Sequence, residues 1–168
     1  MKKPLLALAL IAAAAPIVAA SPAVSPAIKA ALADPARPAE DVARDATRHP
    51  GEMLTFAGVK PGMRVADFIM GGGYWTRILS GAVGAKGQVI AYQPAQFIKF
   101  YPPYADQQKA AVAGRANVVA NSDSLASFDF GAPLDVIMTV QNYHDLHLAQ
   151  SPPGFAGVVA GKMFAALK

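Results

Sequence analysis

The stretch Arg64 to Ser80, RVADFIMGGGYWTRILS, constrains the fold more than any other part of this chain. Arg64 to Ile69 is a short apolar run broken by one acid, Asp67, and reads as a buried strand. Gly71, Gly72 and Gly73 follow, three residues free to take positive φ and to let a ligand approach the backbone. From Tyr74 onward the apolar residues Trp75, Ile78, Leu79 and Val83 recur at helical spacing. A strand that enters a helix through glycines places the free N–H groups of the helix N-terminus at the strand's end, a common way to hold a nucleotide.

The segments around it repeat the alternation. Glu40 to Arg48 reads as a polar helix ending before Pro50, and Glu52 to Ala57 as a second short helix closed by Gly58. Lys60-Pro61-Gly62 is a turn that delivers the chain to Arg64. After the glycine helix come a turn at Gly84 to Gly87 and a strand at Gln88 to Tyr92. A helix over Gln96 to Ala113, broken at Pro102 and Pro103, leads to a third strand at Asn117 to Ala120. Leu134 to Val140 is a nearly continuous apolar strand, and Gly154 to Leu167 a last helix. Strands alternating with helices predict an α/β, Rossmann-like parallel sheet with flanking helices.

A chain of 168 residues is long enough for one domain with its own core. Its formal charge is +4, of which Lys2 and Lys3 supply two, and no basic cluster points to nucleic acid. Without cysteine there is no disulfide, thiol nucleophile or thiolate metal site. Met1 to Ala20 has the three-part pattern of a secretory signal peptide: a basic start, an apolar core from Leu5 to Ala15, and Val18-Ala19-Ala20 before Ser21. Cleavage is expected after Ala20, giving an exported, periplasmic protein with no stable membrane span. Ser21 to Pro38, rich in Ala and Pro, is expected to be a flexible leader with at most a short helix near Ala27 to Leu32. Residues 39–168 then form the α/β domain.

Two well-defined nucleotide motifs are excluded. A P-loop needs Lys-Ser or Lys-Thr after its second glycine, which Lys86-Gly87 does not supply. The dehydrogenase fingerprint needs glycine where Thr76 stands. The residues Val59-Lys60-Pro61-Gly62-Met63, the loop Asp67 to Tyr74, the strand Gly87 to Tyr92 and Gln141-Asn142-Tyr143-His144-Asp145-Leu146-His147 carry a resemblance instead. Over Arg44 to Leu148 the chain resembles the class I S-adenosylmethionine-dependent methyltransferases, and more narrowly a group of exported bacterial proteins predicted to be methyltransferases.

That resemblance implies S-adenosylmethionine as cofactor, with Asp67, Gly71, Gly72, Gly73 and Tyr74 around its methionine part. It implies Gln93 at the ribose and Asp123 near the adenine, with Gln141 a further cofactor-binding residue. Two positions depart from the superfamily pattern. Ile69, followed by Met70, stands where an early glycine is usual, and Gln93 stands where an acid ends the second strand. Glutamine accepts a ribose hydrogen bond without the charge-assisted strength of a carboxylate.

Gln141 to His147 opens at the carboxyl edge of the fourth strand, where ligands of such sheets sit. Asn142, Tyr143, His144 and Asp145 are the candidate catalytic residues there, with His144 a candidate general base. The acceptor implied is a small molecule. His144, Asp145 and His147 are also metal-ligand types, but with only His49 as a distant partner no metal is assigned. Arg44, Asp45 and Arg48 match the exported group too, and a solvated polar helix explains them equally well.

The superfamily sheet has seven strands in the order 3-2-1-4-5-7-6, and this chain supplies four. The fourth strand is therefore expected to leave an open apolar edge through which the chain could self-associate, and the gene product to be truncated. An alternative to the enzyme is an exported binding or scaffold domain that keeps the fold without the chemistry.

Overall fold

A computed structural model describes residues 23–148 and 151–168. The expected signal peptide lies outside the described residues. Four parallel strands, β1 (Arg64–Phe68), β2 (Gln88–Tyr92), β3 (Val118–Asn121) and β4 (Val136–Met138), lie in the order β3-β2-β1-β4. Val65 sits between Val89 and Val136, and Ala91 is level with Ala120. The order matches the first four strands of the expected sheet.

Alternation along the strands divides the core in two. Val65, Val89 and Ala91 face one layer, built mainly from α5 (Tyr74–Val83) through Trp75, Ile78, Leu79 and Val83. Ala66, Phe68, Ile90 and Tyr92 face the other, where Phe128, Phe130 and Leu146 meet α8 (Phe155–Ala165) through Ala156 and Val159. The rings of Phe68, Tyr92 and Phe128 lie 4.9 to 5.5 Å apart, so this layer is bound by aromatic contacts as well as buried area.

Among the described residues four short helices precede the sheet: α1 (Pro26–Leu32), α2 (Ala39–Val42), α3 (Asp45–Arg48) and α4 (Pro50–Phe56). Two more, α6 (Ala95–Phe100) and α7 (Pro103–Val112), follow β2 and part at the two prolines. The leader is not a loose tether. Ser25 caps α1 by accepting the Ile28 N–H, and Ile28 and Ala31 are buried against α5. Gly81 lets the two helices meet, since a Cβ there would stand 2.7 Å from the Ala31 methyl. Alanine-rich composition predicted mobility; the same small side chains allow close helix contact.

The far end of the sheet differs from expectation in one respect. Leu134, just ahead of β4, forms a parallel bridge with Leu167. Its N–H donates to the Ala166 carbonyl and its carbonyl accepts from the Lys168 N–H. Lys168 also pairs with Asp135 at 2.7 Å. The entry of β4 is thus covered, while among the described residues no strand pairs with the outer side of Val136–Met138.

Candidate functional site

The direction of sheet growth reverses at β1, whose neighbours are β2 on one side and β4 on the other. In open α/β sheets the crevice at that reversal, beyond the strand ends, is where ligands bind. Here it is formed by the glycine loop after β1 and the segment after β4.

The loop is built on Asp67, buried beneath it. One carboxylate oxygen accepts the Thr76 hydroxyl of α5 at 2.6 Å, tying strand to helix under the turn. Burial raises its pKa to about 6, with the Thr76 hydroxyl and N–H and the charges of Arg77 and Arg48 acting the other way. Ile69 takes φ 61°, a conformation natural to glycine and strained for a β-branched residue. The backbone therefore keeps the glycine shape at the first position where the sequence departs from the superfamily pattern. Gly71 also has positive φ, and no atom lies within 4 Å of where its Cβ would be. Its face is open to a ligand. Gly73 is glycine for the opposite reason: with φ 82°, a Cβ there would meet the Ala111 methyl at 2.5 Å.

Gln93 is fully buried, and its Oε1 accepts the Gly71 N–H at 2.9 Å. Its accepting end is thus turned into the loop rather than toward a ribose hydroxyl. Its Nε2 has no partner among the described residues, so the end left over is a donor. Asp123, in contrast, is exposed at the end of β3. It accepts from the Asn121 side chain, and its backbone carbonyl accepts the Tyr92 hydroxyl at 3.1 Å.

Across the crevice, Gln141 is exposed with φ 58°. Asn142 donates both amide hydrogens, to the Phe68 carbonyl at 2.9 Å and the Ile69 carbonyl at 2.8 Å. It locks the end of β1 to the end of β4, so its side chain positions the strained loop instead of facing outward. Tyr143, His144 and Asp145 lie on a 3₁₀ turn (Tyr143–His147) anchored by buried Leu146. His144 Nε2 is 3.2 Å from an Asp145 oxygen, and the Tyr143 and His147 rings are in edge contact. Among the described residues no three His, Asp or Glu side chains gather as a metal site would require. A cleft of about 710 Å³ opens beside Asp145, with Phe97 of α6, Leu125, Leu148 and Phe155 in its largely apolar wall.

The site has a further side that sequence reading did not assign. Tyr74, the first residue of α5, donates its hydroxyl to Asp45 at 2.6 Å. Arg37 grips the same carboxylate through two nitrogens, at 2.8 and 2.6 Å. This pair holds the Asp45 carboxyl below the usual range, while burial and then Asp45 push the Tyr74 phenol upward. Buried Asp41 pairs with Arg44 and Arg77, and Arg77 Nη2 donates to the Gly72 carbonyl at 2.9 Å. The guanidinium carbons of Arg37, Arg44 and Arg48 stand 5.7, 5.2 and 4.8 Å from the centre of the Tyr74 ring. The solvated polar helix of the sequence reading is thus two short helices wired into the glycine loop. The mixed charges of Arg44, Asp45 and Arg48 were the available signal; nothing local marked Arg37.

No protein-family model matches the chain, and no curated protein matches it in sequence. Solved structures do. A SAM-dependent methyltransferase from Aquifex aeolicus superposes with a TM-score of 0.56 at 25% identity, over 81% of this chain and 64% of that one. A protein-L-isoaspartate O-methyltransferase gives 0.54 at 21% identity, over 68% of this chain and 43% of that one. The chain thus spans less than two thirds of either enzyme. Over the superposed residues it shares their fold, and it has the class I methyltransferase fold.

Proposed function

We propose that this protein binds S-adenosylmethionine over Gly71 to Gly73 and transfers its methyl group to a small acceptor. The observation that carries this reading is the loop itself. An open-faced glycine sits at the point where the sheet reverses, braced below by the Asp67–Thr76 pair and across the crevice by Asn142. The unpartnered donor of Gln93 beneath the loop suits an oxygen-rich ligand such as a ribose, reached when the loop adjusts. When bound, S-adenosylmethionine supplies a methyl group activated by a sulfonium centre. The protein's own part is to hold that ligand against the loop, admit the acceptor through the cleft beside Asp145, and take the acceptor's proton on His144.

Titration calorimetry of the full chain with S-adenosylmethionine tests the binding step. Saturable heat that Gly71→Val abolishes is the expected result; no heat at millimolar ligand overturns the reading. Incubation with methyl-labelled cofactor and pooled small acceptors then tests transfer, and binding without turnover would leave a scaffold domain.

Export belongs to the same proposal, on the pattern of Met1 to Ala20. Mass spectrometry of the protein made with its own leader should find a periplasmic form beginning at Ser21. Among the described residues no helix is long and apolar enough to cross a membrane. Pairing of two copies along the outer side of β4 is proposed as well, and sedimentation at increasing concentration should detect it.

A further inference from the structure

Four guanidinium groups gather around Tyr74 and the glycine loop: those of Arg37, Arg44, Arg48 and Arg77. Three are committed. Arg37 is paired bidentately with Asp45, while Arg44 and Arg77 share the two oxygens of Asp41. Arg48 makes no ion pair among the described residues. It lies 4.8 Å above the Tyr74 ring, half-buried, held by an aromatic face that leaves its N–H groups unspent. The carboxylates paired within this cluster are Asp41 and Asp45, with Asp67 under the loop, and among the described residues none of them pairs with Arg48, whose single charge is left over.

We infer that Arg48, stacked on Tyr74 beside the glycine loop, is the anchor of a carboxylate-binding subsite. The surplus is a single charge, which suits a monoanion better than a phosphate. A planar guanidinium fixed on a ring offers two parallel N–H groups, the pattern a carboxylate accepts. The surrounding ion pairs fix the ring that carries it. Asp45 holds the Tyr74 hydroxyl, and Arg77 joins Asp41 to the Gly72 carbonyl. The helices ahead of the sheet are in this view part of the binding site. The inference rests on the methyltransferase reading, within which a carboxylate has two sources: the amino-acid end of S-adenosylmethionine, or an acidic acceptor.

The test compares wild type, Arg48→Gln and Arg48→Lys by calorimetry, with circular dichroism to confirm that each is folded. The probes are S-adenosylmethionine, its decarboxylated analogue, and benzoate added to protein saturated with S-adenosylhomocysteine. If the cofactor is the source, Arg48→Gln weakens S-adenosylmethionine about tenfold or more and leaves the decarboxylated analogue unchanged, with Arg48→Lys intermediate. If the acceptor is the source, both cofactor forms bind all three proteins alike, and benzoate binding is lost in Arg48→Gln. Arg48→Gln binding both S-adenosylmethionine and benzoate as wild type does overturns the subsite. Wild type that binds no S-adenosylmethionine overturns the methyltransferase reading instead. Benzoate on the free protein then decides the subsite: binding lost in Arg48→Gln supports it, and no binding to wild type overturns it.

Discussion

Asp67 joins a structural cost to a positional benefit. Its carboxyl is buried under the loop with Thr76 as its hydroxyl partner, and burial raises its pKa from 3.8 to about 6. An unfolded aspartate titrates near 3.9, so between about pH 4 and 6 the folded state holds the extra proton. Stability from this group is full below pH 4 and is lost as pH rises through 6. Asp67→Asn keeps an acceptor for Thr76 and removes the buried charge. It should raise stability at pH 7 by up to roughly 3 kcal/mol, at about 1.4 kcal/mol per pKa unit, and flatten the pH 4–6 slope in urea titrations. Ile69 allows a second test at the same scale. Glycine is usually less stable than alanine at an ordinary position, but at φ 61° the order should reverse. Ile69→Gly should therefore unfold at higher urea than Ile69→Ala, by about 1 kcal/mol, although both lose the buried side chain.

Between elements, the decisive contact is Asn142. Its amide joins the carbonyl ends of β1 and β4, and Thr139 hydrogen-bonds its oxygen, so donors and acceptor are all engaged. Asn142→Ala leaves two partly buried carbonyls without donors and should cost about 1–3 kcal/mol. Asn142→Asp should cost more, because a carboxylate has no hydrogen to give and repels the same carbonyls. Paired urea titrations of the two variants give the order. This residue shows how much of the site the sequence carried. The motif Gln141 to His147 was visible, and so was its place at a strand end. That Asn142 turns inward was not, since its partners lie 74 and 73 residues away.

Across the whole molecule, the leader completes the domain. Helix α1 buries Ile28 and Ala31 on α5, and Arg37 reaches the loop through Asp45 and Tyr74. Ile28→Ala should destabilise the domain by about 2–4 kcal/mol, and thermal melts of that variant should show one lowered transition, not a separate early melting of the leader. A melt in which Ile28→Ala matches wild type would return α1 to the role of a loose tether.

By itself the sequence determined the strand, the glycine turn, the α5 helix and the order of the elements after them. Those follow from local periodicity and from glycine and proline chemistry, which act within a few residues. The tertiary structure alone decided that Gln93 turns its oxygen to Gly71, that Asn142 clamps the end of β1, and that the leader's charges surround Tyr74. A charged residue that is solvated and one that is paired read alike in sequence. Only the packing of distant segments on one sheet edge tells them apart.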